Sequence, residues 1–338
     1  MGPEYVIESG AGVAGRVEYA VEVSNRAGAV VSGPVAVHHV EVPVLEKGLV
    51  GVAVEKGAGV ALQVVVRGEG LEYVWRRNGV VIPGAQSGEL LMGSVGLEEA
   101  GMYSVEVRNV VGRVESGPVG VWVKPRWVVE PSGAVALAGS VVRLRGLAEG
   151  SGALMYRWMR DGQWMSGAVG GEIELSGAMA QEGRRVYRVE VSGNGGSALS
   201  GEAVVEFQRG VEVLERPSDV WVRSGGDVVL GVKASGSGLK YQWKRGGREM
   251  AGAVGAQLVV AGVGEAEAGA YSVVVSNAVS SVEVGAMVRI AGLPVIRNVV
   301  EERRVAVGGA MELRADAVGD GVMSYQWYRN GVLLEGAR

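Results

Sequence analysis

Two kinds of aromatic residue recur along this chain at a nearly constant interval. The steps between four tryptophans are 83, 85 and 84 and the steps between four tyrosines are all 84, at Trp75, Trp158, Trp243 and Trp327, and at Tyr19, Tyr103, Tyr187 and Tyr271. A fixed period of this length predicts a tandem array, because each period must be one unit with its own buried face. The period limits the architecture, but it says little about chemistry.

Each periodic tryptophan belongs to a short strand that enters a tight turn. A tyrosine stands two positions before the tryptophan, and Asn-Gly, Asp-Gly or Gly-Gly follows it. Residues two apart lie on one face of a strand, and these dipeptides supply the positive φ angles of a hairpin turn. A leucine stands 13 or 14 positions before each tryptophan, at Leu62, Leu144, Leu230 and Leu313. These leucines predict a second core strand that lies opposite the strand of the tryptophan.

The segments that begin at the periodic tyrosines alternate apolar and polar residues, which is typical of half-buried strands. About seven short strands in each period, without helical segments between them, cannot form parallel crossovers. The sequence therefore predicts an all-β chain of two-sheet sandwiches arranged as beads on a string, one sandwich for each period of about 84 residues.

The motifs around the periodic aromatics resemble those of tandem immunoglobulin-like domains in large bacterial surface or secreted proteins. The resemblance is carried by the W-x-R/K strands and by the segments 99–103 and 267–271, which stand where the family has D-x-G-x-Y, the tyrosine corner. The segments before Tyr19 and Tyr187 depart from that motif.

The resemblance also locates the family's bridging cysteines, all of which are replaced in this Cys-free chain: Val64 with Val105, Gly146 with Val189, and Val232 with Val273. Losing such a bridge usually costs about 2 to 5 kcal/mol, which packing around the tryptophan must offset. Because Gly146 leaves the least volume, we expect its repeat to be the weakest of the intact ones.

The period also predicts where the domains begin and end. Residues 1–44 correspond to the C-terminal part of one domain, 45–124, 125–213 and 214–292 to three whole domains, and 293–338 to the N-terminal part of a further one. Pro43, Pro125, Pro217 and Pro294 fall near the joins. We therefore expect a monomeric segment of a longer array.

No set of residues predicts catalysis, a cofactor or a metal site. The chain has no Cys and only His38 and His39, which point to opposite faces of a strand. Gly10 to Gly15 matches G-x-G-x-x-G but precedes a strand, and that motif works only where a helix follows. The acidic pairs 98–99 and 301–302 lack Asp and Asn partners for Ca²⁺, so we interpret them as turn charges.

Charge and hydropathy exclude two further classes of partner. The net charge is −4 with both signs interspersed, so there is no basic stripe for nucleic acid. No apolar run reaches the roughly 20 residues that span a bilayer, and the first residues show no signal peptide.

These observations favour a non-enzymatic extracellular or cell-surface array that acts as a spacer, scaffold or adhesion module, with a protein or a surface polysaccharide as partner. An accessory carbohydrate-binding region of a large secreted hydrolase and an intracellular structural array remain alternatives. Four tryptophans outside the period are candidates for exposed contacts, although those near the joins are also expected to pack between domains: Trp122, Trp127, Trp164 and Trp221.

Overall fold

The structure, a computed structural model, describes residues 4–6, 15–298, 304–320 and 322–336. The regular elements of these residues are β-strands, apart from one 3-10 helix at Gly177–Ala180. The strands up to residue 123 are β1 Gly15–Tyr19, β2 Glu22–Asn25, β3 Gly28–Val31, β4 Val35–His39, β5 Val44–Lys47, β6 Val52–Val54, β7 Val60–Gln63, β8 Val65–Arg67, β9 Glu72–Arg77, β10 Val80–Val81, β11 Glu89–Met92, β12 Gly101–Arg108 and β13 Arg113–Val123.

The strands of the next repeat are β14 Arg126–Val129, β15 Ala134–Leu137, β16 Val142–Arg145, β17 Leu147–Glu149, β18 Met155–Arg160, β19 Gln163–Trp164, β20 Glu172–Leu175, β21 Gly183–Gly193, β22 Gly196–Leu199 and β23 Ala203–Gln208. Those of the repeat after it are β24 Glu212–Glu215, β25 Val220–Val222, β26 Gly226–Gly231, β27 Lys233–Ser235, β28 Lys240–Arg245, β29 Arg248–Glu249, β30 Gln257–Val263, β31 Gly269–Ser276 and β32 Ser281–Ile290. The last described strands are β33 Val295–Ile296, β34 Ala317–Val318, β35 Tyr328–Arg329 and β36 Val332–Leu333.

We refer to β5–β13 as the Trp75 repeat, to β14–β23 as the Trp158 repeat and to β24–β32 as the Trp243 repeat. In the Trp75 repeat, one sheet has the order β10-β9-β12-β13-β6, and the pairs β5-β8 and β7-β11 make up the other side. The Trp243 repeat has the same plan, with β25-β32-β31-β28-β29 against β24-β27 and β26-β30. The pairings β13-β6 and β32-β25 are parallel, and they add the early strand of each repeat to the edge of its larger sheet.

The residue contacts divide the chain into two compact units, and the division passes through the Trp158 repeat. The first unit comprises Met1–Gly133, Arg143–Ile173 and Val186–Ala203, and the second comprises Ala134–Val142, Glu174–Arg185 and Val204–Arg338. Within the first unit, β18 pairs with β19 and β21, β21 pairs with β22, and β14 pairs with β17. Within the second unit, β15 runs parallel to β23.

The alternating segments form strands whose apolar side chains point inward. On β12, Tyr103, Val105 and Val107 are buried while the residues between them are not. Branched and aromatic side chains suit such a half-buried pleated surface. The hairpin turns follow the prediction too, because Asn78 and Gly79 have φ angles of 51° and 82°, and the same left-handed pair recurs at 161–162, 246–247 and 330–331.

The register brings each central tryptophan against the strand that contains the periodic tyrosine. Trp75 lies opposite Val105, Trp158 opposite Val189, and Trp243 opposite Val273. Around Trp75, buried Leu62, Val64 and Tyr103 complete one core, and an equivalent set surrounds Trp243.

The structure differs from the prediction at three of the twelve proposed core positions, all in the outer segments. Tyr19 and Trp327 are half-buried, and Leu313 is 51% exposed. The segment 15–39 is a hairpin of β1 with β4 and β2 with β3. The described part of the last segment has only the two-stranded pairs β33-β34 and β35-β36. Because no second sheet covers these side chains within the described residues, they are not core residues there.

Candidate functional site

The tryptophans of the three central repeats are fully buried, with an exposed fraction of 0% at Trp75, Trp158 and Trp243. Each indole N–H donates a hydrogen bond to a carbonyl oxygen twelve residues further on, at Ser87, Gly170 and Gly255, over 2.8, 2.8 and 2.9 Å. The six other predicted core residues of these repeats are also buried: Tyr103, Tyr187, Tyr271, Leu62, Leu144 and Leu230. These rings are therefore structural and offer no face to a ligand.

The two segments that match the tyrosine corner adopt its geometry. The hydroxyl of Tyr103 donates to the carbonyl oxygen of Glu99 over 2.6 Å, and that of Tyr271 donates to Glu267 over 2.7 Å. Burial raises the pKa of Tyr103 above its ordinary value. Before Tyr187 the chain instead forms the 3-10 helix Gly177–Ala180, which accords with the missing motif there.

A tryptophan fills the space that Gly146 leaves. A Cβ atom at Gly146 would lie 2.9 Å from the ring of Trp127 and 3.3 Å from Val189. Trp127 also packs near Tyr156, with ring centroids 6.2 Å apart. Trp127 therefore supplies volume beside Gly146 that lies outside the two cysteine positions, and the low stability expected of the Trp158 repeat stays a prediction. Trp127 packs within its own repeat.

The connections between repeats are held by side-chain hydrogen bonds. We call residues 40–43, 123–125 and 209–211 the joints. At the first joint, the side-chain N–H₂ of Asn109 donates to the carbonyl oxygens of Glu41 and Glu69, over 2.8 and 3.2 Å. Its side-chain oxygen accepts from the N–H groups of Val111 and Gly112. One amide thus ties the joint to two turns of the following repeat.

The third joint repeats this arrangement. Asn277 donates to the carbonyl oxygens of Arg209 and Ser237, over 2.7 and 2.9 Å, and accepts from the N–H groups of Val279 and Ser280. Asn109 and Asn277 stand two periods apart, and Asn25 stands one period before Asn109. Sequence reasoning missed this function, although the period could have shown it.

The middle joint uses a different residue for the same purpose, since Gly193 stands where the other repeats have Asn. The hydroxyl of buried Ser151 accepts from the N–H of Val123 over 2.8 Å and donates to the Val123 carbonyl oxygen over 3.0 Å. The N–H of Ser151 donates to the same carbonyl. The last residue of β13 is therefore held by the Trp158 repeat.

Carboxylates reinforce two of the joints. Glu149 contacts Lys56 of the Trp75 repeat, over 2.9 Å, and Arg126 of its own repeat. Glu182 accepts hydrogen bonds from the hydroxyl of Ser237 over 2.6 Å and from Arg209 over 2.9 Å. Hydrogen bonds from Lys56 and Arg126 lower the pKa of Glu149, and those from Ser237 and Arg209 lower the pKa of Glu182.

The other non-periodic tryptophans are less buried than the periodic ones of the three central repeats. Trp164 is 46% exposed and Trp221 is 48% exposed, and each has an arginine over its ring, Arg157 at 4.0 Å and Arg289 at 5.4 Å from the ring centroid. Trp122 is half-buried, and its ring covers Gly120. Trp164 and Trp221 are thus the tryptophans of the described chain that offer most surface to a partner.

The described residues contain no group of three or more His, Cys, Asp or Glu side chains that could hold a metal ion. In the same residues there is no helix of the length and apolar character that a membrane span requires. Gly10 to Ala14 and Glu301–Glu302 of the sequence motifs lie outside the described residues. His38 is exposed and His39 is half-buried, both on β4.

The chain is similar in fold to several known proteins. No family model matches the chain. The muscle M-line assembly protein unc-89 of Caenorhabditis elegans is 25% identical over an aligned length of 357, and the alignment covers 95% of this chain but only 4% of unc-89. A titin I-band fragment, I67–I69, is 19% identical, covering 74% of this chain and 99% of the fragment with a TM-score of 0.42.

The extracellular domains 3–5 of Drosophila OTK are 15% identical, covering 73% of this chain and 97% of the OTK chain with a TM-score of 0.44. The sheet orders, the buried tryptophans and the tyrosine corners carry the assignment of fold. The chain is an array of tandem immunoglobulin-like β-sandwiches.

Proposed function

We propose that this array is a non-enzymatic spacer and scaffold or adhesion module, with domains at 45–124, 125–213 and 214–292 and partial domains at 1–44 and 293–338. The observation that carries the proposal is the way each joint is held. A connection tied by hydrogen bonds to the next repeat restricts the angle between repeats, whereas a free linker behaves as a random coil. Restricted joints keep successive modules at defined separations.

Linked modules raise the effective concentration of weak contacts only when the connection can hold the sites apart at the right span. We propose a protein partner for these contacts, and no nucleic acid.

Distance measurement between spin labels tests the spacer role directly. Because the chain has no Cys, labels can be attached to Glu98→Cys and Gln163→Cys, two exposed positions on either side of the middle joint. A restricted joint predicts a single narrow distance distribution. A broad distribution like that of a flexible linker would contradict the proposal, and a Ser151→Ala variant provides the loosened reference.

The cellular setting is the finer part of the proposal. Unc-89 is a muscle M-line assembly protein and the OTK fragment is extracellular, so arrays of this fold are found in different settings. We propose the cell surface for this chain. Digestion of intact cells with an added protease should remove the array, and full protection until the cells are lysed would contradict the proposed location.

A further inference from the structure

The three central repeats present the same sheet face outward, so their side chains can be compared position by position. In the Trp158 repeat, the pairing of β19, β18, β21 and β22 places nine outward residues in three rows. Directly opposed Cβ atoms are about 4.5–5.5 Å apart, so the rows form a continuous surface. We call it the Trp164 face: Trp164, Met159 and Arg188; Arg157, Glu190 and Leu199; Met155, Ser192 and Ser197.

Large apolar side chains on this face are open to solvent. Met155 is 66% exposed, Trp164 46% and Leu199 43%. A shallow opening of about 280 Å³ lies beside the indole, between Arg160, Gln163 and Met165. The Trp164 face is thus an apolar surface with charged groups among its members.

The equivalent face of the Trp75 repeat is made of internal ion pairs. Glu106 lies 3.9 Å from Arg76 and 3.6 Å from Arg113, and Arg108 lies 3.1 Å from Glu72. Its charges are therefore neutralised within the face.

The Trp243 repeat is also polar and internally bonded on this face. Lys244 lies 2.9 Å from Glu283, which accepts a further hydrogen bond from the hydroxyl of Ser272. Gln242 and Glu249 occupy the positions of Arg157 and Trp164. The same framework therefore accepts either set of residues, so folding does not require the exposed tryptophan and arginine.

We propose that the Trp164 face binds an acidic protein segment in which a carboxylate lies next to a large apolar side chain. Trp, Arg and Met are enriched where proteins meet, and Trp and Arg dominate binding energy there. Arg157 and Arg188 outnumber Glu190 among the members of this face, although the whole chain has a net charge of −4. The local charge thus complements an acidic partner.

The geometry of Arg157 favours a carboxylate over a sugar. Its guanidinium lies 4.0 Å from the centroid of the Trp164 ring, so it occupies a ring face on which a sugar would stack. A stacked guanidinium keeps its in-plane N–H donors, and these match a carboxylate in a bidentate pair. The apolar side chains around it suit the neighbouring apolar residue of the partner.

This inference rests on the proposed adhesion or scaffold role, and its test is independent of the joint distances. A displayed library of random dodecapeptides is selected for binding to the intact chain, and peptides that also bind an Arg157→Gln, Trp164→Glu variant are removed. This variant copies the residues of the Trp243 repeat. The matched control is Val81→Glu, the position of the Trp75 repeat equivalent to Trp164. Unfolding midpoints establish that both variants are folded.

We expect the selected peptides to carry Asp or Glu within two positions of Leu, Ile or Phe. Their synthetic forms should bind the double variant at least tenfold more weakly and the Val81→Glu control unchanged. Absence of variant-sensitive peptides, or peptides without acidic residues, would overturn the proposal. Variant-sensitive binding of polygalacturonate without such peptides would assign the face to a polysaccharide, and variant-sensitive dimerisation in sedimentation would assign it to a second copy of the chain.

Discussion

At the scale of single residues, the core of each central repeat consists of one buried indole and the side chains that fill the space beside it. Trp75, Trp158 and Trp243 occupy the same site, but the neighbouring volume is divided differently in each repeat. The position of Trp127 on β14 corresponds to Leu45 and Val213, and that of Gly146 to Val64 and Val232. In the Trp158 repeat, a larger side chain at 127 thus accompanies the loss of a side chain at 146.

The buried indoles should dominate the stability of their repeats. Trp243→Ala removes a fully buried ring and its N–H bond to Gly255, so we expect a loss of about 3 to 5 kcal/mol in the unfolding of that repeat. Trp221→Ala, at a half-exposed ring of the same repeat, is the control. Urea denaturation followed by circular dichroism measures both, and equal losses would contradict the assignment of Trp243 to the core.

The exchange of volume between Trp127 and Gly146 predicts a strong coupling. Trp127→Leu alone leaves a cavity, and Gly146→Val alone forces a methyl group against the ring, so each should destabilise by about 1 to 3 kcal/mol. The double variant restores the Leu and Val pair of the Trp75 repeat and should recover much of that loss. A double-mutant cycle measures the coupling, and simple additivity would show that the two residues do not share one space.

At the scale of elements, two turns of a repeat do more than reverse the chain: the turn that precedes β9 or β28, and the turn that follows β12 or β31. In the Trp75 and Trp243 repeats they meet at one asparagine, and the joint is the third partner of that amide. The hairpin therefore fixes the connection to the preceding repeat at the same time as it closes the sandwich.

Removal of the Asn277 side chain should loosen the third joint while leaving the sandwich folded. Asn277→Ala leaves the carbonyl oxygens of Arg209 and Ser237 without this donor, and each such hydrogen bond contributes about 0.5 to 1.5 kcal/mol. We expect faster hydrogen exchange at the amides of Val279 and Ser280 and an unchanged rate at the core of β31. Asn25→Ala is the control, since its side chain accepts from the N–H of Ala27 in its own turn. Unchanged exchange at Ser280 would contradict the role of Asn277.

Acid should weaken the middle joint through Glu149. Its pKa is lower in the folded chain than in the unfolded chain, so its contribution is complete above the ordinary carboxyl value of about 4.3 and is lost as the pH falls through the lowered value. The label distance across this joint should broaden in acid. In the Glu149→Gln variant, the distance distribution should already be broad at neutral pH and should change little as the pH is lowered. If this variant showed the same pH response as the unaltered chain, Glu149 would be excluded as the cause.

At the scale of the whole molecule, each central repeat has its own sheet pair, and the Trp75 and Trp243 repeats have separate cores. Repeats of this kind should unfold one at a time under load. A repeat of about 84 residues extends to about 300 Å, against about 40 Å for folded strands, so each event should lengthen the chain by about 260 Å. Force spectroscopy should show three such events, and one event of about three times that length would contradict independent repeats.

The sequence by itself determined the period, the strand class, the central core residues and the turns, because each of these follows from local spacing. Residues two apart on a strand lie on the same face, and an Asn-Gly pair adopts positive φ angles, whichever strands lie beside them. Tyr19, Leu313 and Trp327 share the same local pattern yet are not buried, because burial requires a second sheet that the described outer segments do not form.

Only the tertiary structure decided which residues from distant parts of the sequence contact each other. Trp127 and Gly146 are well separated in the sequence, and nothing in either local pattern shows that one fills the space of the other. The local sequence also does not show that Asn277 bonds to Arg209 and Ser237, which come from two distant segments, or that the Arg157 guanidinium lies over the Trp164 ring. Contacts of this kind depend on strand register and on the packing of turns, which are fixed when the sheets assemble.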